Sequence, residues 1–372
     1  MLKKSAYLIP LAALLLAAGC SKVEVRPYSP MYPMSFQTAG YPTRTGIEGS
    51  VFPTSETFGA WAWAEGTIGD YFMDDETVSY TETEREGSVT GAWTPSTTYY
   101  WPKGVPVDFV CYYPAGMSGV TVAQRSISYE GIDVNALQQD IMYSDKAARY
   151  TDDTSLVEGD ALYGLDGVPV LFRHALAKVR IYVRVGFSSL TSDNGTVTDW
   201  SIDLNGIKLD NVLTTGSCAL TLKDQPAFGQ IGWDRPADRD GFNVWTADGT
   251  TATLTGLSCE ALPTEEPGFL ALPELFVLPQ SLLGREQTVT LDLTINTSRN
   301  GVPFITEHIV RTAALYIKDD FQELPAWEMN NAITYYLVLY PTGNGADGSP
   351  EITFDPAVAE WDHIEVATSI IL

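Results

Sequence analysis

The sequence predicts an all-β fold of two antiparallel β-sandwich domains, and three observations support this prediction. Apolar residues alternate with polar ones in many short segments, turn residues separate those segments, and helical periodicity is rare. Alternation with a period of two is typical of a strand with one buried and one solvated face. Many short strands that do not alternate with helices favour sandwiches over a parallel sheet covered by helices.

The clearest strand is predicted over residues 178–185. There Val179, Ile181, Val183 and Val185 alternate with polar or aromatic residues. The same period predicts further strands over residues 105–113, 200–204, 289–295 and 335–339.

Turn signals separate these segments, and they are rich in Asn, Asp and Gly. They lie at Asp193-Asn194-Gly195, Asn205-Gly206, Ala247-Asp248-Gly249 and Gly343-Asn344-Gly345. One short helix is predicted over residues 134–142, where Leu137 and Ile141 are four apart and Asp133 can cap the first turn.

The first residues of the sequence predict a signal peptide. Lys3 and Lys4 precede an apolar stretch over residues 6–18, which is shorter than the roughly 20 residues that cross a bilayer. The residues Leu16 to Cys20 are similar to a bacterial lipobox, in which the cysteine becomes the lipidated first residue of the mature chain. We therefore predict a lipoprotein signal over residues 1–20 with lipid on Cys20. The alternative is an ordinary secretory signal cleaved near Ala18.

Composition excludes a nucleic-acid partner. The chain has 22 basic and 47 acidic residues, and a net charge of -25 repels a phosphate backbone. Besides Cys20 it contains Cys111, Cys218 and Cys259, whose spacing shows no disulfide framework. Buried free thiols are favoured, with a Cys218–Cys259 pair as the alternative.

No motif predicts an enzyme, a metal site or a cofactor. A G-x-G-x-x-G occurs at Gly343, Gly345 and Gly348, but strand-like residues follow it where a dinucleotide site needs a helix. The carboxylates of Asp234, Asp238 and Asp240 resemble a calcium loop only loosely, because their spacing differs from the standard one. The histidines have no second ligand at metal-binding spacing. We therefore predict no catalytic, metal or cofactor residues.

Four tryptophans crowd the first half of the chain: Trp61, Trp63, Trp93 and Trp101. Aromatic faces suit the binding of sugars, but they also build sandwich cores. Core packing is favoured.

The predicted organisation has a leader and two domains. Residues 21–44 are a leader rich in turn residues, within which residues 31–38 can form one strand. An N-terminal sandwich is predicted over residues 45–167 and a C-terminal sandwich over residues 168–372.

Five further motifs resemble one known family. In order they are "WPKGVPVDFVCYYPAG" from Trp101, "QQDIMYSDKA" from Gln138, "LFRHALAKVRI" from Leu171, "NNAITYYLVLY" from Asn330 and "ITFDPAVAEWD" from Ile352. With the lipobox, they resemble the fimbrillin family of Bacteroides-type bacteria, including the Mfa-like proteins. The resemblance implies two tandem transthyretin-like sandwiches and a subunit of a cell-surface fimbria that serves cell adhesion. It also implies a precursor anchored in the outer membrane by a lipid such as palmitate.

The resemblance also implies maturation by a trypsin-like protease. The matching site is the bond between Arg44 and Thr45, in a polar segment that contains glycine. Arg26 is a rival site that Pro27 would hinder, and Arg44 could also be an ordinary linker residue.

In such a family, loss of the first strand opens a groove that the C-terminal strand of another subunit fills. Residues 364–372 suit a donor strand, because Ile364, Val366, Ile370 and Leu372 lie on one side with Thr368 between them. The alternative is that this segment is the resident last strand of its own domain.

The sequence thus predicts a structural or adhesive fimbrial subunit whose partners are other subunits, a maturation protease and the outer membrane. A host protein or glycan would be the further partner of an adhesive subunit. The main alternative is a surface lipoprotein that binds glycan without polymerising. A sandwich glycosidase would need two carboxylates in one cleft.

Overall fold

The computed structural model describes residues 33–38, 52–65, 71–85, 88–157, 161–164, 167–222, 231–234, 239–246, 252–254, 270–284, 286–318, 323–340 and 362–371. Their regular secondary structure is almost entirely β-strand, which confirms the predicted all-β class. Cys20, Arg44, Thr45, Cys259 and Leu372 lie outside the described residues.

The first half of the chain contributes short to medium strands and two single-turn helices. They are β1 (Phe36–Thr38), β2 (Thr57–Ala64), β3 (Met73–Arg85), β4 (Ser88–Pro95), β5 (Val107–Tyr113), β6 (Val120–Ala123), β7 (Ser126–Asp133), α1 (Val134–Leu137), β8 (Met142–Ser144), β9 (Ala147–Thr151), α2 (Thr154–Val157), β10 (Leu162–Tyr163), β11 (Val168–Val170) and β12 (Phe172–His174).

The second half combines several long strands with many strands of two to four residues. They are β13 (Ala177–Val185), β14 (Ser189–Thr191), β15 (Val197–Leu213), β16 (Thr215–Thr221), β17 (Ile231–Asp234), β18 (Arg239–Thr246), β19 (Ala252–Leu254), β20 (Leu270–Ala271), β21 (Leu275–Val277), β22 (Gln280–Ser281), β23 (Thr288–Arg299), β24 (Val302–Ala314), β25 (Ile317–Lys318), β26 (Glu323–Leu324), β27 (Ala326–Trp327), β28 (Asn331–Tyr340) and β29 (Asp362–Ile371).

One sheet organises the first half, in the order β10-β9-β5-β2-β3-β4-β1-β11, with β8 added to β5 and β12 added to β8. Its buried face carries an aromatic core. The rings of Phe52, Phe58 and Trp93 contact one another at centroid distances of 5.3 to 5.7 Å. The two contacts of Phe52 are edge-to-face, a geometry that adds attraction beyond the buried area, and the Phe58–Trp93 contact is tilted.

Two sheets enclose the core of the second half. One has the order β20-β13-β28-β29, and the other has the order β14-β15-β23-β24. Their buried side chains are mainly aliphatic, such as Val179 and Ile181 on β13 and Leu291 and Leu293 on β23. The predicted alternation of β13 and β23 therefore corresponds to real buried faces.

A small sheet, β17-β16-β7-β6, joins the two halves, because β7 of the first half pairs with β16 of the second. The predicted boundary after residue 167 is also crossed by pairing. Val168–Val170 pairs with β1, and Phe172–His174 pairs with β8, so both strands extend the first sheet. The division into domains remains a prediction.

Two details differ from the sequence-based expectations. Asn205-Gly206 does not form a turn: it lies inside β15, where the pairing with β23 shifts register between Leu204 and Gly206. The side-chain amide of Asn205 donates to Asp292 and Thr294 at 3.0 Å, so a β-bulge uses the residues expected for a turn. The sheets are also not purely antiparallel, since β1–β11, β9–β10, β13–β28 and β28–β29 are parallel pairs.

The predicted helix is present but shorter than expected. Asp133 caps α1 by accepting from the backbone N–H groups of Asn135 and Ala136. Gln138 then takes a left-handed conformation with φ 36°, which ends the helix after one turn. Within the part of the chain that the structure describes, no helix is long and apolar enough to cross a membrane.

Candidate assembly site

The first feature of the site is the slot that β1 occupies in the first sheet. β1 lies between β4 and β11: Phe36 pairs with Trp93 on one side, and residues 36–38 pair in parallel with residues 168–170 on the other. The backbone N–H of Met34 also donates to the carbonyl of Tyr99 at 2.8 Å. A strand of only three residues thus fills an interior position of a large sheet.

Two large side chains fill the slot. Met34 and Phe36 are only 2% and 1% exposed, whereas Gln37 faces solvent. The Phe36 ring packs edge-to-face on Phe58 and Phe109 at 5.9 and 5.5 Å. Burial of two such side chains contributes about 3 to 6 kcal/mol to the docking of β1. Without them, Phe58 and Phe109 would lose part of their cover.

The loop before β11 is shaped to let β1 approach. Gly167 has φ +112°, and a Cβ atom at this position would lie 2.8 Å from Gln37 Cγ and 3.2 Å from the backbone carbon of Phe36. Only glycine allows this contact without a shift. Pro169, in the middle of β11, has no N–H to donate, which suits a strand at the end of the sheet order.

The segment after β11 is fixed to the first sheet by an Arg–Asp ion pair and a His–Asp contact. Arg173 on β12 donates to both carboxylate oxygens of Asp145 at 3.0 and 2.7 Å. His174 Nδ1 lies 2.5 Å from Asp140 Oδ2. Burial raises the pKa of Asp145, and the hydrogen bonds and charge of Arg173 oppose that rise. Because desolvation offsets the attraction, such pairs specify the position of β12 and, through it, that of β11.

Glu76 on β3 holds the other side of the slot. Its carboxylate accepts from the backbone N–H of Thr97 at 2.7 Å, from the Tyr99 hydroxyl at 3.2 Å and from Ser96. Burial tends to raise the pKa of Glu76, but these hydrogen bonds outweigh it and lower the pKa below its usual value. The ionised carboxylate therefore orders the segment whose Tyr99 carbonyl accepts from Met34.

The second feature is the C-terminal strand. β29 pairs in parallel with β28 along its whole length, from Asn331 opposite Asp362 to Tyr340 opposite Ile371. In this register the predicted donor residues Ile364, Val366 and Ile370 lie opposite Ile333, Tyr335 and Leu339, which are buried. In this structure the segment thus pairs within its own chain.

The other candidate residues have structural positions. Trp63, Trp93 and Trp101 are buried, and Trp61 is half-buried and packs beside the larger core, which fits core packing better than a glycan platform. Cys111 is a buried free thiol, and burial raises its pKa. Cys218 is also buried, and because Cys259 lies outside the described residues, the choice between a thiol and a Cys218–Cys259 pair stays a prediction. The described residues contain no group of three His, Cys, Asp or Glu side chains placed to hold a metal ion. Asp238 and the three glycines Gly343, Gly345 and Gly348 lie outside the described residues.

The family follows from comparison with known proteins. The sequence model described as Fimbrillin-like matches residues 43–361 of this chain, which is most of its length. The chain belongs to the fimbrillin-like family. A fimbrillin-like chain is a fimbrial or cell-adhesion protein, which implies a place at the cell surface and a structural role.

Solved structures of similar proteins accompany this fimbrillin-like assignment. A "putative cell adhesion protein" of Bacteroides eggerthii is 10% identical with a TM-score of 0.38, covering 92% of this chain and 98% of that one. Another from Bacteroides uniformis is 15% identical with a TM-score of 0.37, covering 76% and 98%. The tip fimbrial protein Mfa3 of Porphyromonas gingivalis, with a C-terminal truncation, is 9% identical with a TM-score of 0.34, covering 82% and 94%. A search of curated proteins gives no match.

The sequence showed only part of this site. It indicated a strand within residues 31–38 and the alternation of the C-terminal segment. It did not show that Met34 and Phe36 fill a slot, or that Gly167 and β11 form one wall of it. The signal available was Gly167-Val168-Pro169-Val170, because a proline between two buried valines is typical of an edge strand.

Proposed function

We propose that this chain is a fimbrial subunit that polymerises by strand exchange after its leader is removed. The precursor carries lipid on Cys20 and reaches the outer membrane, where a trypsin-like protease cleaves between Arg44 and Thr45. The leader then leaves with β1, and the C-terminal strand of another copy takes its place. The observation that carries the proposal is β1 itself, a short strand that ends at Thr38, before the proposed cleavage point, and fills an interior slot.

Cleavage changes the competition for the slot. While the leader is covalently attached, β1 is present at a high effective concentration and excludes an incoming strand. After cleavage the leader is a separate peptide that holds only three ladder residues and two large side chains, so dilution removes it. The edges of β4 and β11 are then open for the addition of a new strand.

The donor strand must leave one ladder to enter another. In the single chain, residues 362–371 are already ordered beside β28, so the entropy of ordering them is common to both states. The direction of the exchange therefore depends on whether this strand binds more strongly in the emptied β1 slot than beside β28. The donor residues Ile364, Val366, Ile370 and Leu372 would bring four apolar side chains to a slot from which Met34 and Phe36 have gone. This head-to-tail contact does not close on itself, and it produces a filament.

The test follows the N-terminus and the assembly state together. Fimbriae sheared from cells should contain a chain that begins at Thr45, as measured by mass spectrometry. The Arg44→Ala variant should remain a lipidated precursor and form no filament, whereas the matched variant Arg26→Ala should assemble normally. Deletion of residues 364–372 should leave trimmed subunits that do not polymerise. Trimmed, full-length subunits that stay monomeric at every concentration would contradict the proposal.

A further inference from the structure

β24 is an edge strand with several exposed apolar side chains. It pairs with β23 from Val302 to Ala314, with a register shift between Pro303 and Ile305. Among the strands that the structure describes, none pairs with its other edge. Val302, Phe304, Ile305 and Val310 are 65%, 56%, 45% and 52% exposed. An open edge of this length with large apolar side chains is typical of a surface that accepts another strand.

The same edge carries two opposite charges in a symmetric arrangement. Glu307 and Arg311 lie four residues apart, on either side of Ile309, and share one face of β24. In an antiparallel pair, residues directly opposite each other have the same sum of residue numbers. A register centred on Ile309 therefore places Glu307 of each copy opposite Arg311 of the other.

We propose that β24 pairs with β24 of a second copy, antiparallel and about a two-fold axis through Ile309. The partner is identified by charge complementarity, because the pairing forms the Glu307–Arg311 contact twice. In the regular part of β24, from Ile305 onward, it also places Ile305 opposite Ala313, Thr306 opposite Thr312 and His308 opposite Val310. Pro303, which cannot donate to a ladder, falls beyond the end of the shared one.

Neighbouring registers are less favourable. A register centred on Glu307 places two carboxylates against each other and brings Pro303 into the ladder. A register centred on His308 places two histidines together and leaves Glu307 and Arg311 unmatched. Like charges directly opposite each other destabilise an antiparallel pair, so the charges select the register centred on Ile309.

This contact goes beyond the proposed function, because it uses a different edge from the β1 slot and from the C-terminal strand. The β24–β24 contact is symmetric, whereas strand exchange is a head-to-tail contact. The two can therefore operate in the same assembly, with β24 joining subunits side by side.

The test measures dimerisation of the full-length Cys20→Ser chain, whose leader stays in place so that strand exchange does not contribute. Sedimentation velocity should show a monomer–dimer equilibrium. Glu307→Arg and Arg311→Glu should each weaken dimerisation by about tenfold, because each creates two like-charge pairs. The double variant Glu307→Arg with Arg311→Glu should restore the affinity, because it restores both opposite-charge pairs.

These variants separate the contact from general charge effects. The two single substitutions change the net charge in opposite directions, yet both should weaken the dimer. Glu130→Arg, at an exposed carboxylate on β7, is the matched control and should leave the dimer unchanged. A chain that stays monomeric at high concentration, a dimer that the single variants do not weaken, or a double variant that does not regain affinity would each overturn the proposal. None of these results would bear on whether the trimmed chain polymerises through the β1 slot.

Discussion

β1 and β28 both occupy interior positions of a sheet, but a short strand fills the first position and a long strand fills the second. β1 contributes three paired residues, together with the buried side chains of Met34 and Phe36, and it belongs to the leader that we propose is removed. β28 is flanked by β13 and β29, and the residues that it pairs with β13 run from Ala332 to Leu339. The first arrangement suits a replaceable part. The β13–β28 pair of the second suits a permanent part, because these two strands cannot separate without exposing a large apolar surface.

The largest expected effect belongs to the permanent core. Trp327 is buried, and its indole N–H donates to the Tyr335 hydroxyl at 2.9 Å, which in turn donates to the Leu315 carbonyl at 3.2 Å. Trp327→Ala should lower the free energy of unfolding by about 3 to 5 kcal/mol. Denaturant unfolding should show this loss equally in the unprocessed and trimmed chains. The exposed Leu190→Ala variant is the control. A loss at Trp327 that differs between the unprocessed and trimmed chains would contradict the view that this core is independent of β1.

A smaller effect, limited to the unprocessed chain, is expected at Phe36. Phe36→Ala removes the ring between Phe58 and Phe109 and should weaken the docking of β1 by about 3 kcal/mol. Hydrogen exchange of the Val168 amide reports this docking, because that N–H donates to the Ser35 carbonyl at 2.8 Å. Its protection should fall in the unprocessed chain. Gln37→Ala, at an exposed position of β1, should leave it nearly unchanged, and equal loss in both variants would contradict the role of Phe36.

The smallest expected effect on stability is at Gly167, which lies in the wall of the β1 slot. Gly167→Ala should destabilise the unprocessed chain by about 1 to 3 kcal/mol, from the positive φ and the close contact with β1 together. In the trimmed chain the contact with β1 is gone, and only the backbone term remains. The loss measured by thermal unfolding should therefore be smaller after trimming. Gly195→Ala also has a positive φ but meets no neighbouring atom, so its loss should be the same in both chains.

Local pattern explains how much of this fold could be predicted. The alternation over residues 178–185 and 289–295 depends only on which face of a strand is buried, and both segments are strands within a few residues of the expected limits. The cap at Asp133 is equally local.

The strand pairing that could not be predicted depends on partners distant in sequence. Nothing near Phe36 indicates that Val168 is its parallel neighbour, because pairing is set by tertiary packing and not by the propensity of either segment. Asn205-Gly206 is an instructive failure for the same reason. Its residues permit a turn, but the neighbouring strand β23 continues past them, and the backbone bulges.

The parallel pairing of β13 with β28 also has a consequence for biogenesis. β13 leaves the ribosome about 150 residues before the strand it must lie beside, so contacts of very long range close this core late. If the precursor is exported from its N-terminus as proposed above, β13 would cross the membrane well before the strand that completes its sheet. The second half would then be completed only in the compartment where the subunit is used.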